Sequence, residues 1–316
     1  MPEAKFGPTT TAEEVCQNVD LRGRLAVLTG ASAGIGAETA RVLASSGADV
    51  VLGARRTDRL TTLAQDIERR YAVKAYVHEL DLSNQASVDA FAGFVIALSR
   101  RLDILCCNAA TVTQQRYVDG CGNELQFSVN YLGHALLVSR LSVALAHGGK
   151  SRLVCMTSRG HQEGPIDFED PNFEIRPYNW LLAYRQSKSA MALLAVKAQA
   201  AMANRGVTSF AVHPGVIQTE LQQTIPAAVQ VGAGRAPVAD SRECKTVAQG
   251  AATAVWAAGY PGLEVFGGSY LEDCNVARPI SQVNRTYGVM PHARDPVLAN
   301  RVWSLAERLL GRHLTL

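Results

Sequence analysis

Tyr184 and Lys188 stand four residues apart in Tyr184-Arg185-Gln186-Ser187-Lys188, within a stretch, 182–204, whose apolar spacing predicts a long helix. On a helix, positions i and i+4 share a face, so phenol and ammonium would lie side by side. A free tyrosine ionises near pH ~10, too high for efficient proton transfer around neutrality. A neighbouring ammonium favours the phenolate and lowers that value, which would make Tyr184 a proton donor and acceptor. Ser158 ends the apolar run "SRLVCMTS", which reads as a strand. Its hydroxyl could hold a substrate oxygen beside the phenol. Taken alone, a Tyr/Lys pair at this spacing is an ordinary pair of surface neighbours on a helix; its weight comes from what lies upstream.

Upstream, Thr29-Gly30-Ala31-Ser32-Ala33-Gly34-Ile35-Gly36 follows the apolar run "RLAVLTG" and precedes the helical pattern "AETARVLASSGA". Glycines spaced G-x-x-x-G-x-G allow a sharp turn and a close backbone approach to a pyrophosphate, while the helix start offers free N–H groups and its positive dipole end. Gly30, Ser32, Ala33, Gly34, Ile35 and Gly36 are therefore candidate dinucleotide contacts. The next strand, "DVVLGAR", ends in Gly53-Ala54-Arg55-Arg56. An acid at that position would bond a ribose 2′-hydroxyl and repel a 2′-phosphate, whereas a guanidinium grips the phosphate bidentately. Arg55 and Arg56 favour NADP(H) over NAD(H), although two solvated arginines at a helix start would read the same way.

These residues need a scaffold, and the chain alternates short apolar runs with longer amphipathic ones. After the first two strands come a helix at 59–71, the strand "VKAYVHELDL", a helix at 85–98 and the strand "LDILCCNAA". A long helix at 124–146, "SRLVCMTS", the helix 182–204, "VTSFAVHPG", a helix at 246–258 and a short "GGSYL" strand complete the series. Continuous apolar strands in βαβ order imply an α/β fold, a single Rossmann-type doubly wound parallel sheet with helices on both faces. Residues 1–20 read as an N-terminal extension and 21–316 as one catalytic domain. Within it, 159–181 and 220–245 are insertions near the substrate, 226–237 in the latter reading either as a flap over substrate or as a simple surface loop, and 301–312 is an amphipathic C-terminal helix.

With these motifs in this order, the sequence resembles the short-chain dehydrogenase/reductase family over about residues 21–275. The loop 29–36 matches the family's T-G-x-x-x-G-x-G, and Asp81-Leu82 matches the pair whose Asp meets the adenine ring. Cys107-Asn108-Ala109-Ala110 corresponds to the family's N-N-A-G, with Cys107 and Ala110 as departures. The resemblance makes Asn130 (in "VNYLGH"), Ser158, Tyr184 and Lys188 the catalytic set. It makes Pro214, Gly215, Val216 and Thr219 cofactor contacts, Thr219 reaching the nicotinamide carboxamide. It also implies that Lys188 holds the nicotinamide ribose and that Asn130 positions a water relaying protons from Lys188. Tyr184 follows Ser158 by 26 positions. That spacing, with "NYLGH" and "HPGVIQTEL", is most similar to the retinol-dehydrogenase-like and WW-domain-oxidoreductase-like branch, and implies apolar alcohols and ketones as substrates.

Among the remaining residues, His161, Tyr178 and Trp180 in the 159–181 insertion could line a substrate pocket or anchor the insertion. Asp167, Glu169, Asp170 and Glu174 lack a His or Cys to complete a metal site and read as a solvated loop; no metal is expected. A formal charge of +3 over 316 residues excludes an electrostatic case for nucleic acid. No stretch reads as a membrane span, and the N-terminus lacks a signal peptide. Seven cysteines without C-x-x-C or metal spacing suggest reduced thiols and a cytoplasmic protein. The resemblance allows a homodimer or homotetramer through the helices 124–146 and 182–204. Two other functions stay open: reduction of an activated C=C bond on the same fold, and NADPH sensing without turnover.

Overall fold

The structure is a computed structural model, and it describes residues 6–147, 149–217, 244–284 and 287–316. Thr219, the flap 226–237 and most of the 220–245 insertion lie outside the described residues.

Six strands make up most of the sheet, all but the edge strand β3 being rich in Val, Leu, Ile, Ala or Cys: β1 (Leu25–Thr29), β2 (Asp49–Ala54), β3 (Ala75–Glu79), β4 (Ile104–Cys107), β5 (Ser151–Met156) and β6 (Val207–His213). β7 (Val216–Ile217) and β8 (Cys244–Lys245) pair separately. β9 (Tyr270–Glu272) and β10 (Asn275–Val276) extend the main sheet, whose order is β10-β9-β6-β5-β4-β1-β2-β3. Pairing is parallel except for the terminal β9–β10 pair. Strand order reverses between β1 and β4, the switch point outside which an open α/β sheet binds ligands.

Side chains alternate along each strand, and both faces are covered. Val27, Leu105, Cys107, Leu153 and Cys155 pack on one side; Leu28, Ile104, Cys106, Val154 and Met156 pack on the other. That is why the strands read as unbroken apolar runs, and why Cys106, Cys107 and Cys155 behave as small buried hydrophobes. Among the described residues the α-helices are α1 (Ala12–Cys16), α2 (Gly34–Ser45), α3 (Thr57–Arg70), α4 (Gln85–Ala97), α5 (Leu125–Phe127), α6 (Gly133–Ala146), α7 (Trp180–Met202), α8 (Val247–Gly259) and α9 (Pro296–Leu310). A π-helical turn, Ser128–Leu132, joins α5 to α6. Side-chain oxygens cap most starts: Asn84 for α4, Asn179 for α7, Thr246 for α8 and Asp295 for α9. The described part of the N-terminal extension is docked, with α1 set by a Thr11/Glu14 capping box and burying Ala12 and Val15.

Two expectations are corrected. The continuous helix 125–146 is long and apolar enough to cross a membrane by length and composition, yet most of it is buried inside the fold. Its apolarity is that of a core helix. The acidic loop is also not merely solvated: the Asp170 carboxylate is buried and accepts the N–H groups of Glu174, Ile175 and Arg176 at 2.7, 3.3 and 3.0 Å, turning the insertion back on itself.

The C-terminal helix is longer than its apolar stripe alone indicates. α9 buries Ala299, Val302, Trp303, Leu305, Ala306 and Leu310 against the long helices. Tyr131 donates to the carbonyl of Val302 at 3.0 Å, and Gln85 donates to that of Leu310 at 3.1 Å. Asp89 pairs with both Arg140 of α6 and Arg312 beyond α9. The tail thus covers a face of α6 and α7.

Candidate active site

The glycine loop leaves the C-terminal end of β1. Gly30 turns at φ +67°, and a Cβ there would lie 2.7 Å from the Ala109 Cα. A Cβ on Gly36 would fall 2.3 Å from the Gly30 carbonyl oxygen and 2.5 Å from Asn108 Nδ2, so only glycine allows α2 to start this close to the loop. Asn108 donates to the carbonyls of Thr29 (3.0 Å) and Gly30 (3.3 Å) and so holds the loop's shape. Ala33 at the N-cap of α2 supplies no side-chain cap, and no acid stands in its first turn. The N–H groups there remain available to an anion, in a cradle too tight for side chains. These residues fit a dinucleotide pyrophosphate.

Arg55 and Arg56 extend from the end of β2 and are exposed. Asp81 follows β3; its carboxylate accepts the N–H and hydroxyl of Ser83 at 2.9 and 2.7 Å. Leu82 is buried, with its carbonyl so close to α6 that a Cβ on Gly133 would lie 2.2 Å away. Ala109 and Ala110 follow β4, while Pro214 and Gly215 follow β6 and lead into Val216. Every described cofactor candidate therefore lies at one edge of the sheet, the carboxyl ends of its strands.

Ser158 and Tyr184 meet at that edge. A Cβ on Gly160 would lie 3.5 Å from Ser158 Oγ and 3.6 Å from Tyr184 Cε1, so the hydroxyl and the ring flank the same glycine. Ser158 Oγ accepts the Gly160 N–H at 3.1 Å, leaving its own proton to be donated elsewhere. Lys188 is buried, with Nζ 5.6 Å from the Tyr184 ring centroid and donating to the Met156 carbonyl at 3.2 Å. Burial pushes its pKa down to about 8. It stays cationic at neutrality, yet loses its charge more readily than a surface lysine.

Asn130 sits in the π-turn with its amide fully engaged. Oδ1 accepts from the Thr111 N–H at 2.7 Å, and Nδ2 donates to the Thr111 carbonyl at 3.1 Å and to Ser187 Oγ at 3.0 Å. Through those bonds it clamps the segment after β4 to α7, one residue from Lys188.

Tyr178 and His161 are occupied within the protein. The Tyr178 hydroxyl donates to Glu124 Oε1 at 3.0 Å and accepts from Gln126 Nε2 at 2.8 Å, anchoring the insertion to the start of α5. His161 has no exposed surface and both ring nitrogens are engaged. Trp180 is partly exposed one helical turn before Tyr184, on the same face.

Sequence reading passed over His134. Its Nδ1 lies 2.9 Å from the Asn130 carbonyl, so that nitrogen carries the proton, and Nε2 accepts from the Thr29 hydroxyl at 2.9 Å. Thr29 Oγ1 in turn accepts the N–H groups of Asn108 and Ala109 at 2.9 and 3.0 Å. One buried imidazole therefore ties together the glycine loop, the end of β4 and the turn bearing Asn130. Its pKa is pushed down to about 4, chiefly by burial, with the charge of Lys188 adding to the effect. The i, i+4 spacing of Asn130 and His134 was the available signal.

Comparison with known proteins identifies the family of the chain. The short chain dehydrogenase family model matches residues 24–230. The "Probable oxidoreductase" of Streptomyces lividans is 39% identical over 90% of this chain and 97% of its own length. Human retinol dehydrogenase 12 is 36% identical over 94% and 90%, and the human WW domain-containing oxidoreductase is 32% identical over 98% and 73%. Among solved structures, an uncharacterised Mycobacterium paratuberculosis protein superposes with a TM-score of 0.72 at 28% identity, covering 95% of this chain and 98% of that one. The chain is an oxidoreductase of the short-chain dehydrogenase/reductase family, on its retinol-dehydrogenase-like branch.

Proposed function

We propose that this protein interconverts a ketone or aldehyde and its alcohol on an apolar small molecule, using NADP(H), with Tyr184 as acid/base. The observation that carries the reading is the convergence of Ser158, Tyr184 and Lys188 at the carboxyl ends of the strands, the same edge from which the glycine loop leads into the uncapped start of α2. The nicotinamide cofactor supplies the hydride chemistry when bound. The loop residues Gly30, Ser32, Ala33, Gly34, Ile35 and Gly36 hold its pyrophosphate, and Arg55 and Arg56 take the 2′-phosphate. Lys188 holds the nicotinamide ribose hydroxyls and places positive charge beside the phenol, stabilising the phenolate left when Tyr184 gives up its proton. Ser158 donates to the substrate oxygen and keeps it within reach of Tyr184. In the reverse direction the phenolate removes the alcohol proton.

Apolar substrates are supported by the names of the retinol dehydrogenase relatives and by Trp180, which offers an aromatic surface one turn from Tyr184. The α9 cover over α6 and α7 supports a monomer rather than a dimer through those helices. Seven free cysteines, five of them buried, support a reducing compartment such as the cytoplasm.

The test begins with thermal stability of the purified protein titrated with NADPH and NADH, followed by turnover of a panel of apolar ketones, aldehydes and enones. Preferential stabilisation by NADPH, reversed in Arg55→Asp, and alcohol formation abolished in Tyr184→Phe are expected. Preference for NADH would overturn the phosphate reading. Saturated carbonyl products from the enones alone would replace carbonyl reduction with C=C reduction, and cofactor binding without turnover would leave only a sensor.

A further inference from the structure

Beneath Ser158 lies a set of buried polar groups that the reaction above does not use. His161 sits in the 3-10 turn Arg159–Glu163 that opens at Ser158. Its Nδ1 lies 2.9 Å from the Ser158 carbonyl oxygen and 3.0 Å from the Tyr270 hydroxyl, while Nε2 accepts the Met290 N–H at 3.3 Å. A carbonyl only accepts and a backbone N–H only donates. The ring is therefore neutral, with its proton on Nδ1. Burial agrees, pushing the His161 pKa down to about 4.

The network runs further, in two directions. The Tyr270 hydroxyl also faces the Thr157 hydroxyl, which donates to the Lys188 carbonyl at 2.7 Å. The His161 carbonyl accepts from His292 Nε2 at 2.8 Å and from Ser189 Oγ of α7 at 3.4 Å. Ser189 also donates to Gly164 at 2.5 Å. Residues 157–164, residues 188–189, Tyr270, Met290 and His292 thus meet around His161, whose imidazole itself joins Ser158, Tyr270 and Met290. An apolar side chain would fill the space without desolvating a ring and would leave the Met290 N–H unpaired. The polar choice matches a requirement for fixed geometry at Ser158, whose proton must point at a substrate oxygen.

We propose that His161 is a positioning residue for Ser158: its Nδ1–H tethers the serine carbonyl and, with Tyr270, couples that turn to α7, so that the Ser158 hydroxyl and the Tyr184 phenol keep the spacing a carbonyl oxygen must bridge. The inference rests on the roles given to Ser158 and Tyr184 above. His161→Asn places an amide N–H where Nδ1 stands, keeping the Ser158 tether but losing the Met290 acceptor. His161→Leu removes both.

With saturating NADPH, His161→Leu is expected to lower kcat by about 10- to 100-fold, the scale of a roughly 1 Å misplacement at a reacting centre, with NADPH affinity within about twofold of the parent. His161→Asn should recover most of that loss. Equal losses in both variants, an unchanged kcat in His161→Leu, or a kcat loss matched by lost cofactor binding would overturn the proposal. If His161→Leu does not fold, Tyr270→Phe, which removes one oxygen, should lower kcat about threefold or more at unchanged KM for NADPH; parental kcat would overturn the coupling. Absence of turnover in the unaltered protein would instead count against the roles of Ser158 and Tyr184. The ring itself is then read by nitrogen-resolved NMR of labelled histidine: a protected Nδ1–H at neutral pH supports the tether, and an Nε2–H tautomer or a freely titrating ring overturns it.

Discussion

Lys188 is held in the core at a cost to stability, and removing it should stabilise the fold while ending catalysis. The side chain has almost no exposed surface, and burial lowers its pKa from 10.5 to about 8. At roughly 1.36 kcal/mol per unit, the buried charge costs about 3 kcal/mol at neutral pH. Lys188→Met keeps the length of the stem and removes the charge. It also removes the 3.2 Å bond to the Met156 carbonyl, whose loss costs about 1–2 kcal/mol. The cofactor-free variant should therefore be about 1–2 kcal/mol more stable than the parent at pH 7. The sign of the pH dependence follows from proton counting. Between pH 8 and 10.5 the unfolded lysine binds its proton and the folded one does not, so the parent gains stability across that window. Below pH 8 both states are protonated and the full cost is present. The variant's advantage should accordingly be largest at pH 7 and shrink as pH rises past 8. Urea unfolding of both proteins from pH 7 to about 9.5 measures it, and taking the difference cancels the buried cysteines and tyrosines that both share. A variant less stable than the parent at pH 7, or a difference that ignores pH, would refute the reasoning.

Acid should destabilise the protein through its buried imidazoles: His134 and His161 resist protonation until about pH 4, whereas the unfolded rings take protons near 6.5, so stability is lost as pH falls through that window. Tm measured from pH 7 to 4 should fall less steeply in His134→Asn than in the parent; identical slopes would place the acid sensitivity elsewhere. Gly36→Ala should cost about 1–3 kcal/mol, because its methyl collides with the Gly30 carbonyl and Asn108, and should weaken NADPH binding at least tenfold in a fluorescence titration. Gly93→Ala in α4, where nothing lies within 4 Å of the new methyl, should instead stabilise by about 0.5–1 kcal/mol and leave binding alone. Truncation after Asp295 removes α9 and uncovers the apolar face of α6 and α7, so light scattering should report self-association that the full chain does not show.

The layered fold was legible because each βαβ unit carries its own periodicity and its own breaks. Helix limits were missed where a cap lies outside the apolar stripe. α7 begins at Trp180 because Asn179 accepts the N–H groups of Leu181 and Leu182, and α9 begins at Pro296 because Asp295 caps it and proline suits the first turn. Both signals are local, and both were present in the chain. The candidate Tyr184/Lys188 pair and the glycine loop were legible for the same reason, since the pair sits on one helix and the glycines on one turn.

The polar framework behind that set could not be read this way, because its partners are remote. Tyr270 and His161 stand 109 positions apart and share one hydrogen bond; His134 and Thr29 are separated by 105. A histidine in an apolar stretch has the same letter whether it faces solvent or is fixed as one tautomer in the core. Only the packed structure supplies a carbonyl at one nitrogen and a donor at the other, and that pairing makes a neutral ring worth burying. The residues proposed to do chemistry at this sheet edge are recognisable by type and spacing. Those that hold them there become visible only when separate segments of the chain close around them.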